Sequence, residues 1–252
     1  MPSASWNLAT WDDEYDWSQA GEEWSAAWGG SEAQWFGTLL PRLHRFFPAD
    51  RILEIAPGYG RWTRFLIPSC SDYLGIDLSP SCIEECRKRF GQSAHARFET
   101  NDGVSLSSAA DGGFDLVFSF DSLVHAEFEV FETYVPEILK KLSATGVAFI
   151  HHSNLAEGRI LEGGHSHSRA ESVSARNVAD LISKNGGVTL VQETVSWMDA
   201  GLIDCFTTFG RSDVFRDSKP GVIANVEFMS EANLIRKYHL AYSSLKPKAS
   251  VK

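Results

Sequence analysis

Two glycines one residue apart, Gly58 and Gly60, lie in the stretch RILEIAPGYGRWTRFL, between a short apolar run and a basic amphipathic run. Glycine lets the backbone approach a ligand closely, and the first turn of a following helix offers free N–H groups. Asp77 ends the next apolar run, where a carboxylate can accept hydrogen bonds from both hydroxyls of a ribose. These residues predict a site for a nucleotide-like ligand.

Two residues beside the glycines narrow the class of ligand. A dinucleotide site favours the pattern G-x-G-x-x-G, but Thr63 stands where the third glycine would be. Glu54, before the loop, would repel a pyrophosphate, whereas a carboxylate there suits a ligand with an ammonium group and a sulfonium. A dinucleotide-binding oxidoreductase is therefore disfavoured. A non-catalytic nucleotide-binding module stays open, because a cofactor site does not prove turnover.

Alternating strand-like and helix-like stretches would position these residues. Strands that alternate with helices form parallel units, so the pattern predicts an α/β chain with one doubly wound sheet covered on both faces. The last two strands have no helix between them and should form an antiparallel hairpin at the C-terminal end of the sheet. The seven predicted strands cover residues 51–56, 72–79, 96–102, 114–121, 146–153, 188–197 and 203–211.

Helices are predicted from about Trp62, after a capping Ser79, over 129–142 and over 174–187. Residues 1–48 are predicted to form a helical N-terminal extension to a main domain of residues 49–252. Within the extension, helical apolar spacing begins at Ser31, which is expected to cap that helix.

The extension is rich in tryptophan. Indole rings above the site would form a lid, whereas indole rings buried against the sheet would anchor the extension, and both roles stay open. The polar stretch EGGHSHSR, residues 162–169, is expected to form a second mobile loop. Six of the eight tryptophans lie in the extension, with acidic residues between them: Trp6, Trp11, Trp17, Trp24, Trp28 and Trp35.

Four motifs in order resemble those of the class I S-adenosylmethionine-dependent methyltransferases, over about residues 50–211. The family's first motif, acid-x-G-x-G-x-G, reads E-I-A-P-G-Y-G at residues 54–60, with alanine where the first glycine is usual. N-D-G at 101–103 matches the motif after the third strand, and FDLVFSFDSLVH at 114–125 matches the fourth-strand motif. The terminal hairpin matches the family's Rossmann-like, seven-stranded sheet.

The resemblance implies S-adenosylmethionine as cofactor. Gly58 and Gly60 would line its methionine part, Asp77 would hold the ribose, and Asp102 would bind the adenine amino group. The full set of cofactor-binding residues implied by the resemblance is Glu54, Ala56, Gly58, Gly60, Asp77, Leu78, Asn101, Asp102, Gly103 and Phe120.

Methyl transfer would place the acceptor over the ends of the fourth and fifth strands. A hydroxyl acceptor has to lose a proton, so a positioned base assists the transfer. We expect His152 to be this base and Asp121 to orient it or bind the acceptor. His151 is the alternative base, because consecutive strand residues face opposite ways. Residues expected to contact the acceptor are His125, Asn154, His165, His167 and Trp28.

A divalent metal such as Mg²⁺ is the alternative to a histidine base. Asp121, His152 and Asn154 could supply mixed oxygen and nitrogen ligands. The acidic run that metal-dependent sugar and catechol methyltransferases usually carry is missing, so the metal stays open.

The stretch HHSN after the fifth strand, with the acidic, tryptophan-rich start, resembles more weakly the bacterial sugar O-methyltransferases, such as the mycobacterial methylmannose oligosaccharide methyltransferase. This resemblance implies O-methylation of a small polyhydroxylated acceptor, a sugar or oligosaccharide, and a role in polysaccharide biosynthesis. Another metabolite or natural-product hydroxyl or carboxylate is the alternative acceptor.

Composition limits the remaining functions. The formal net charge of −10 argues against nucleic-acid binding, which needs a basic face. No apolar run reaches the roughly 18 residues of a membrane span. The N-terminus lacks the basic and apolar regions of a signal peptide, so we expect a cytoplasmic protein.

Overall fold

A computed structural model of the chain describes residues 3–160, 162, 165–198 and 201–243. One sheet of eight strands forms its centre, in the order β3-β2-β1-β4-β5-β7-β6-β8. The strands are β1 Ala49–Ile55, β2 Cys70–Asp77, β3 Ala96–Thr100, β4 Phe114–Ser119, β5 Leu142–Ser153, β6 Gly187–Val195, β7 Asp204–Arg211 and β8 Gly221–Asn225.

The direction of the strands confirms the predicted fold class. Strands β1 to β5 pair in parallel, whereas β7 pairs antiparallel with both β5 and β6. The strand order reverses between β1 and β4, and ligands of such sheets bind beyond the carboxyl ends of the strands at this point. The eighth strand was not predicted. It pairs in parallel with β6, and its short, largely exposed GVIAN run has no alternation that would mark a strand.

The predicted helices are present with one correction to a cap, and the last helix, Phe228–Ser243, was not predicted. Ser79 caps α5, where its hydroxyl accepts a hydrogen bond from the Cys82 N–H over 3.1 Å. Ser31, in contrast, does not cap α2: Gly30 precedes that helix, and the Ser31 hydroxyl donates to Glu22 Oε1 over 2.7 Å. The helices are α1 Ala4–Leu8, α2 Ser31–Gln34, α3 Leu40–Leu43, α4 Thr63–Leu66, α5 Pro80–Phe90, α6 Phe128–Lys141, α7 Ala175–Lys184 and α8 Phe228–Ser243.

Tighter or wider helical turns connect several of these helices. Segments Glu22–Trp28 and Leu123–His125 are 3₁₀-helical, and Ala9–Glu14 and Trp35–Leu39 are π-helical. Shorter 3₁₀ turns cover Trp17–Gln19, His44–Phe46 and Ile67–Ser69. No helix in the described part of the chain is long and apolar enough to cross a membrane.

The side chains of successive strand residues point alternately into two separate hydrophobic cores, one on each face of the sheet. Ile52 and Phe149 pack on the face covered by the N-terminal helices, together with Trp28 and Trp35. Leu53 and Ile150 pack on the opposite face against α6 and α7. This alternation decides which way every side chain at the strand ends points.

Candidate active site

One cavity lies at the carboxyl edge of the sheet, beyond the ends of β1, β2 and β4. Its empty volume is about 1000 Å³ with the mouth included, which is the size of a small-molecule site. The strand ends and the loops after them form its floor, and residues of the N-terminal extension form its opposite wall. The predicted ligand site and this cavity therefore coincide in position.

The glycine loop after β1 places only one of its two glycines in the cavity. Gly58 lines the cavity with a φ of 56°, and its N–H donates to Asp77 Oδ2 over 2.9 Å. Gly60 lies outside the lining, and a Cβ there would come within 2.4 Å of the Phe90 ring. The expectation that Gly60 contacts the cofactor is thus corrected: this glycine lets α5 pack closely against the loop.

Ala56 lines the cavity in a left-handed conformation, with a φ of 57°. Its N–H donates to the Ile76 carbonyl over 2.7 Å, and its carbonyl accepts from the Ser122 hydroxyl over 2.9 Å. Alanine thus holds the conformation that usually favours glycine.

Asp77 closes the end of β2 and faces the cavity. Its two carboxylate oxygens accept one backbone hydrogen bond each, from Ser79 and from Gly58, both over 2.9 Å. Burial raises the pKa of Asp77 to about 6, although these hydrogen bonds act in the opposite direction. The backbone therefore fixes this carboxylate before any ligand arrives.

The loop after β3 places two of its three predicted cofactor-binding residues in the cavity. Asn101 and Gly103 line the cavity beside Leu78, and the Asn101 amide donates to the Tyr134 hydroxyl over 3.1 Å. Asp102 is exposed and lies outside the lining, because its carboxylate accepts from the N–H groups of Val104 and Ser105. The prediction that Asp102 binds the adenine amino group does not fit this orientation.

Glu54 lies beneath the glycine loop rather than in the cavity. Its carboxylate is buried and accepts hydrogen bonds from the hydroxyls of Thr63, over 2.7 Å, and Tyr73. Burial raises its pKa to about 7. The prediction that Glu54 contacts the cofactor directly is therefore corrected. Glu54 instead supports the glycine loop through Thr63 at the start of α4.

The end of β4 brings Phe120 and Asp121 to the cavity. Asp121 has a φ of 66°, and its carboxylate pairs with the Arg61 guanidinium over 2.7 Å. Arg61 also lines the cavity, between the rings of Trp24 and Trp62 at 5.1 and 4.5 Å. Sequence reasoning missed Arg61. The available signal was a basic residue directly after the second glycine.

His152, the predicted base, does not reach the cavity. Its side chain is fully buried on the α6 face of the sheet, where it contacts the Phe131 ring. Nδ1 lies 2.7 Å from the Ser153 carbonyl, and Nε2 lies 2.8 Å from the Thr207 hydroxyl. Burial lowers its pKa to about 4. Because side chains alternate between the two faces of a strand, this ring points away from the cavity. The prediction that His152 is the base is therefore wrong.

His151 points to the other face but lies behind the cavity floor. Its ring is buried 4.7 Å from the Phe120 ring, and Nδ1 accepts from the Asp121 N–H over 3.1 Å. Nε2 lies 3.3 Å from Asp204, which Arg169 binds through two hydrogen bonds of 2.9 and 2.8 Å. Burial alone would raise the pKa of Asp204, but Arg169 and His151 outweigh it and lower that pKa. His151 therefore supports Asp121 from behind.

The predicted acceptor and metal residues are dispersed. Asn154 lies outside the cavity, and its Oδ1 accepts over 2.7 Å from the N–H of Ala175, the first residue of α7. The suggested metal ligands Asp121, His152 and Asn154 therefore point to three different places. Within the described residues, no group of three or more His, Cys, Asp or Glu side chains could hold a metal ion.

The remaining histidines separate as well. His125 lines the cavity, whereas His165 and His167 are exposed and lie outside its lining, with their rings 6.1 Å apart. Contact of His165 and His167 with an acceptor in the cavity does not fit these positions. Gly163 and Gly164 of the predicted second loop lie outside the described residues.

Five of the six tryptophans of the extension divide into two groups, and Trp6 belongs to neither. Trp11, Trp17 and Trp24 line the cavity. Trp28, predicted to contact the acceptor, is fully buried in the core, where its Nε1 donates to the Thr38 hydroxyl over 2.8 Å. The lining group is attached to the sheet by Asp12, whose carboxylate accepts from the Ser79 hydroxyl over 2.6 Å.

Comparison with known proteins finds a family model that matches part of the chain. Residues 52–146 match a family model described as a methyltransferase domain. No curated protein sequence matches the chain.

Among solved structures, the PH0226 protein of Pyrococcus horikoshii OT3 is 18% identical with a TM-score of 0.55, over 81% of this chain and 95% of that one. The DhpI–SAH complex is 23% identical with a TM-score of 0.55, over 82% and 94%. The N-methyltransferase NodS of Bradyrhizobium japonicum WM9 with S-adenosyl-L-homocysteine is 19% identical with a TM-score of 0.52, over 67% and 83%. At these identities the likeness shows the fold.

Proposed function

We propose that this chain, which is a class I S-adenosylmethionine-dependent methyltransferase by its matched domain and its fold, methylates a hydroxyl group of a small polyhydroxylated acceptor such as a sugar. S-adenosylmethionine is the cofactor, and when bound it supplies an electrophilic methyl group on a sulfonium. The chain's own task is to hold the two reactants in line and to accept a proton.

The chemistry of the cavity fits each part of this cofactor. Asp77 offers a fixed carboxylate for two ribose hydroxyls, next to the Gly58 backbone. Leu78, Asn101 and Gly103 offer one apolar and two hydrogen-bonding surfaces for an adenine ring. The Arg61–Asp121 pair presents one positive and one negative group, which is complementary to a zwitterionic amino-acid end.

One observation carries the proposal for the cofactor site: the buried Asp77 carboxylate and the Gly58 N–H meet at the sheet's switch point, inside the cavity. Binding calorimetry of the parent protein against S-adenosylmethionine, S-adenosylhomocysteine, NADH and NADPH tests it. We expect the first two to bind and the nicotinamide dinucleotides to give no heat. Binding of NADH alone would overturn the proposal.

The wall opposite the glycine loop supports a sugar as acceptor. Trp11, Trp17 and Trp24 present indole rings to the cavity, and flat aromatic rings pack well on the C–H faces of sugars.

A methyl-transfer screen tests the acceptor, and it should include glycosides, other metabolite hydroxyls, carboxylates and amines. Each reaction should run with and without a chelator. Methylation of glycosides supports the proposal, and methylation of another class alone contradicts it. Loss of activity with chelator, restored by Mg²⁺, would reinstate the metal.

The N-terminal extension has both proposed roles, in different parts. We infer that the residues up to Trp24 form a lid over the cavity and that those from Trp28 to Phe46 anchor this lid to the sheet. Trp17→Ala should then weaken ligand binding, and Trp28→Ala should lower the free energy of unfolding. A cytoplasmic location stays a prediction from the sequence.

A further inference from the structure

His125 is the histidine that lies in the cavity, within the described part of the chain. It ends the 3₁₀ turn Leu123–His125, four residues beyond Asp121. Its ring lies 5.2 Å from the Trp11 ring and 6.5 Å from the Trp6 ring. The ring therefore stands between the end of β4 and the lid, on the wall where the acceptor is proposed to bind.

A hydrogen bond fixes which ring nitrogen carries hydrogen. Nδ1 lies 2.9 Å from the Ser168 backbone carbonyl, which can only accept. Nδ1 of a neutral ring must then carry the hydrogen, and Nε2 must hold the free lone pair. No described residue bonds to Nε2, and this atom is not among the buried atoms without a partner. The lone pair is therefore left without a partner among the described residues, on a side chain that lines the cavity.

The lid is attached directly to the backbone of this residue. The Asn7 amide donates to the His125 carbonyl over 2.9 Å, and its oxygen accepts from the Trp11 indole N–H over 3.0 Å. These two bonds thus hold His125 in position relative to the aromatic wall.

We propose that Nε2 of His125 accepts the hydroxyl proton of the acceptor during methyl transfer. This inference rests on the proposed function, that is, on an acceptor that carries a hydroxyl group. The acceptor oxygen forms a bond to the methyl carbon, and the carbon–sulfur bond breaks with its electron pair left on sulfur. The acceptor O–H bond breaks, its electrons stay on oxygen, and the proton moves to Nε2. The imidazolium then returns the proton to solvent.

The charges around His125 keep the ring neutral before the reaction. Burial and the Arg169 guanidinium lower its pKa to about 4, although the Ser168 carbonyl and the carboxylates of Asp121 and Asp204 act in the opposite direction. A ring with this pKa is a weak base, but an oxygen that has gained a methyl group while keeping its proton is a far stronger acid than imidazolium. Nε2 can therefore take that proton.

Nitrogen NMR of the parent protein tests the lone pair without any acceptor. Imidazole ¹⁵N shifts, assigned with His125→Gln, should report a neutral ring with hydrogen on Nδ1 from pH 5 to pH 8. A ring with hydrogen on Nε2, or one protonated at pH 7, would overturn the proposal.

Single-turnover kinetics tests the proton transfer with a glycoside from the screen. His125→Gln should slow the transfer roughly 10²- to 10⁴-fold, with affinity for S-adenosylhomocysteine within about twofold of the parent. Added imidazole should partly restore the rate of His125→Ala, which a purely structural role would not produce. An unchanged rate in His125→Gln contradicts the proposal.

His44 provides a matched control. Its Nδ1 also lies 2.9 Å from a backbone carbonyl, that of Pro41, but the ring is exposed and outside the cavity. His44→Gln should turn over at the parental rate. If the parent methylates no hydroxyl acceptor, the proposed function fails, whereas the ¹⁵N measurement still decides the position of the lone pair.

Discussion

The ends of β2 and β5 lie on the same edge of the sheet, yet only one of them contributes its polar residue to the cavity. Asp77 at the end of β2 faces the cavity, whereas His151 and His152 at the end of β5 are buried. In the sequence, both ends are an apolar run followed by polar residues.

The neighbours of each strand explain the difference. Strand β5 pairs with β7 up to its last residue, with His152 opposite Cys205 and Ser153 opposite Asp204. Side chains point to the faces of a sheet, and here packing covers both rings: Phe131 contacts His152, and Phe120 and Trp197 pack against His151. The paired residues of β1 and β2 end at Ile55 and Ile76, next to the point where strand order reverses, and the chains then separate around the cavity. Asp77 thus lines the space that opens between β1 and β2, although its backbone still pairs with Thr100 of β3.

The largest effect is expected at the end of β5, on stability. Asp204 is fully buried between Arg169 and His151, so Asp204→Ala leaves a buried guanidinium without its partner. Removing one member of a buried ion pair costs about 3–5 kcal/mol. Denaturant unfolding should show this loss. Asp213→Ala, which breaks an exposed pair with Arg211, is the control and should leave the unfolding free energy unchanged.

A loss below about 1 kcal/mol in Asp204→Ala would show that the buried network does not hold this strand end. The difference between the ends of β2 and β5 would then need an explanation other than this ion-pair network.

The next effect is expected at the end of β2, on binding. Asp77→Ala removes a carboxylate proposed to accept two ribose hydrogen bonds, and hydrogen bonds to charged groups contribute about 1.5–3 kcal/mol. Calorimetry should therefore show S-adenosylmethionine and S-adenosylhomocysteine weakened by roughly 10- to 150-fold. Parental affinity in a folded Asp77→Ala protein would refute the placement of the ribose.

The two ends should also respond oppositely to pH. His152 has its pKa lowered to about 4, so between pH 6.5 and pH 4 the unfolded chain binds a proton that the folded chain does not. Its contribution to stability is present above pH 6.5 and is lost as the pH falls. Asp77 has its pKa raised to about 6, so its contribution is present below its ordinary pKa and is lost as the pH rises through 6.

Unfolding free energies at several pH values would measure both contributions. His152→Gln should remove a positive slope of at most about 1.4 kcal/mol per pH unit between pH 4 and pH 6.5. Asp77→Asn should remove a negative slope over about the same range. Slopes of the same sign would mean that the two strand ends do not differ in the way that their burial and hydrogen bonds indicate.

The sequence predicts the strands and their order of appearance well, because apolar runs, glycine turns and capping residues are local signals. It also identifies Ala56, Gly58, Asp77 and Phe120, which lie at the ends of their strands or within three residues beyond them and line the cavity. It does not predict which face a residue takes at the end of a strand.

Alternation gives two opposite choices for His151 and His152, and only the tertiary packing shows that neither ring lines the cavity, because aromatic side chains cover both. Asp102 and Asn154 are misassigned for a similar reason, because each binds backbone groups of its own surroundings instead of a ligand. The lid is a long-range contact, so its tryptophans could not be divided into two groups before the fold was known.

The smallest effect concerns the residue where the glycine loop departs from the family pattern. Ala56 and Gly58 have nearly equal φ values of 57° and 56°. In Ala56→Gly, relief of left-handed strain of about 1–2 kcal/mol is opposed by glycine's backbone entropy and by the loss of one partly buried methyl group, each of about 0.5–1 kcal/mol. The net change in unfolding free energy should stay within about 1 kcal/mol, with cofactor affinity changed less than about threefold.

Gly58→Ala is the matched reverse substitution at the same backbone angle. A Cβ at Gly58 would come within 3.0 Å of the Trp17 ring, so this variant has to displace the lid as well as bear the strain. We therefore expect Gly58→Ala to weaken S-adenosylhomocysteine binding more than Ala56→Gly does, as measured by calorimetry. Equal effects would show that backbone angle alone governs the loop. A larger loss of affinity in Ala56→Gly would show that the alanine methyl group itself contacts the cofactor. Cofactor binding would then depend on the residue at which this chain departs from the family motif.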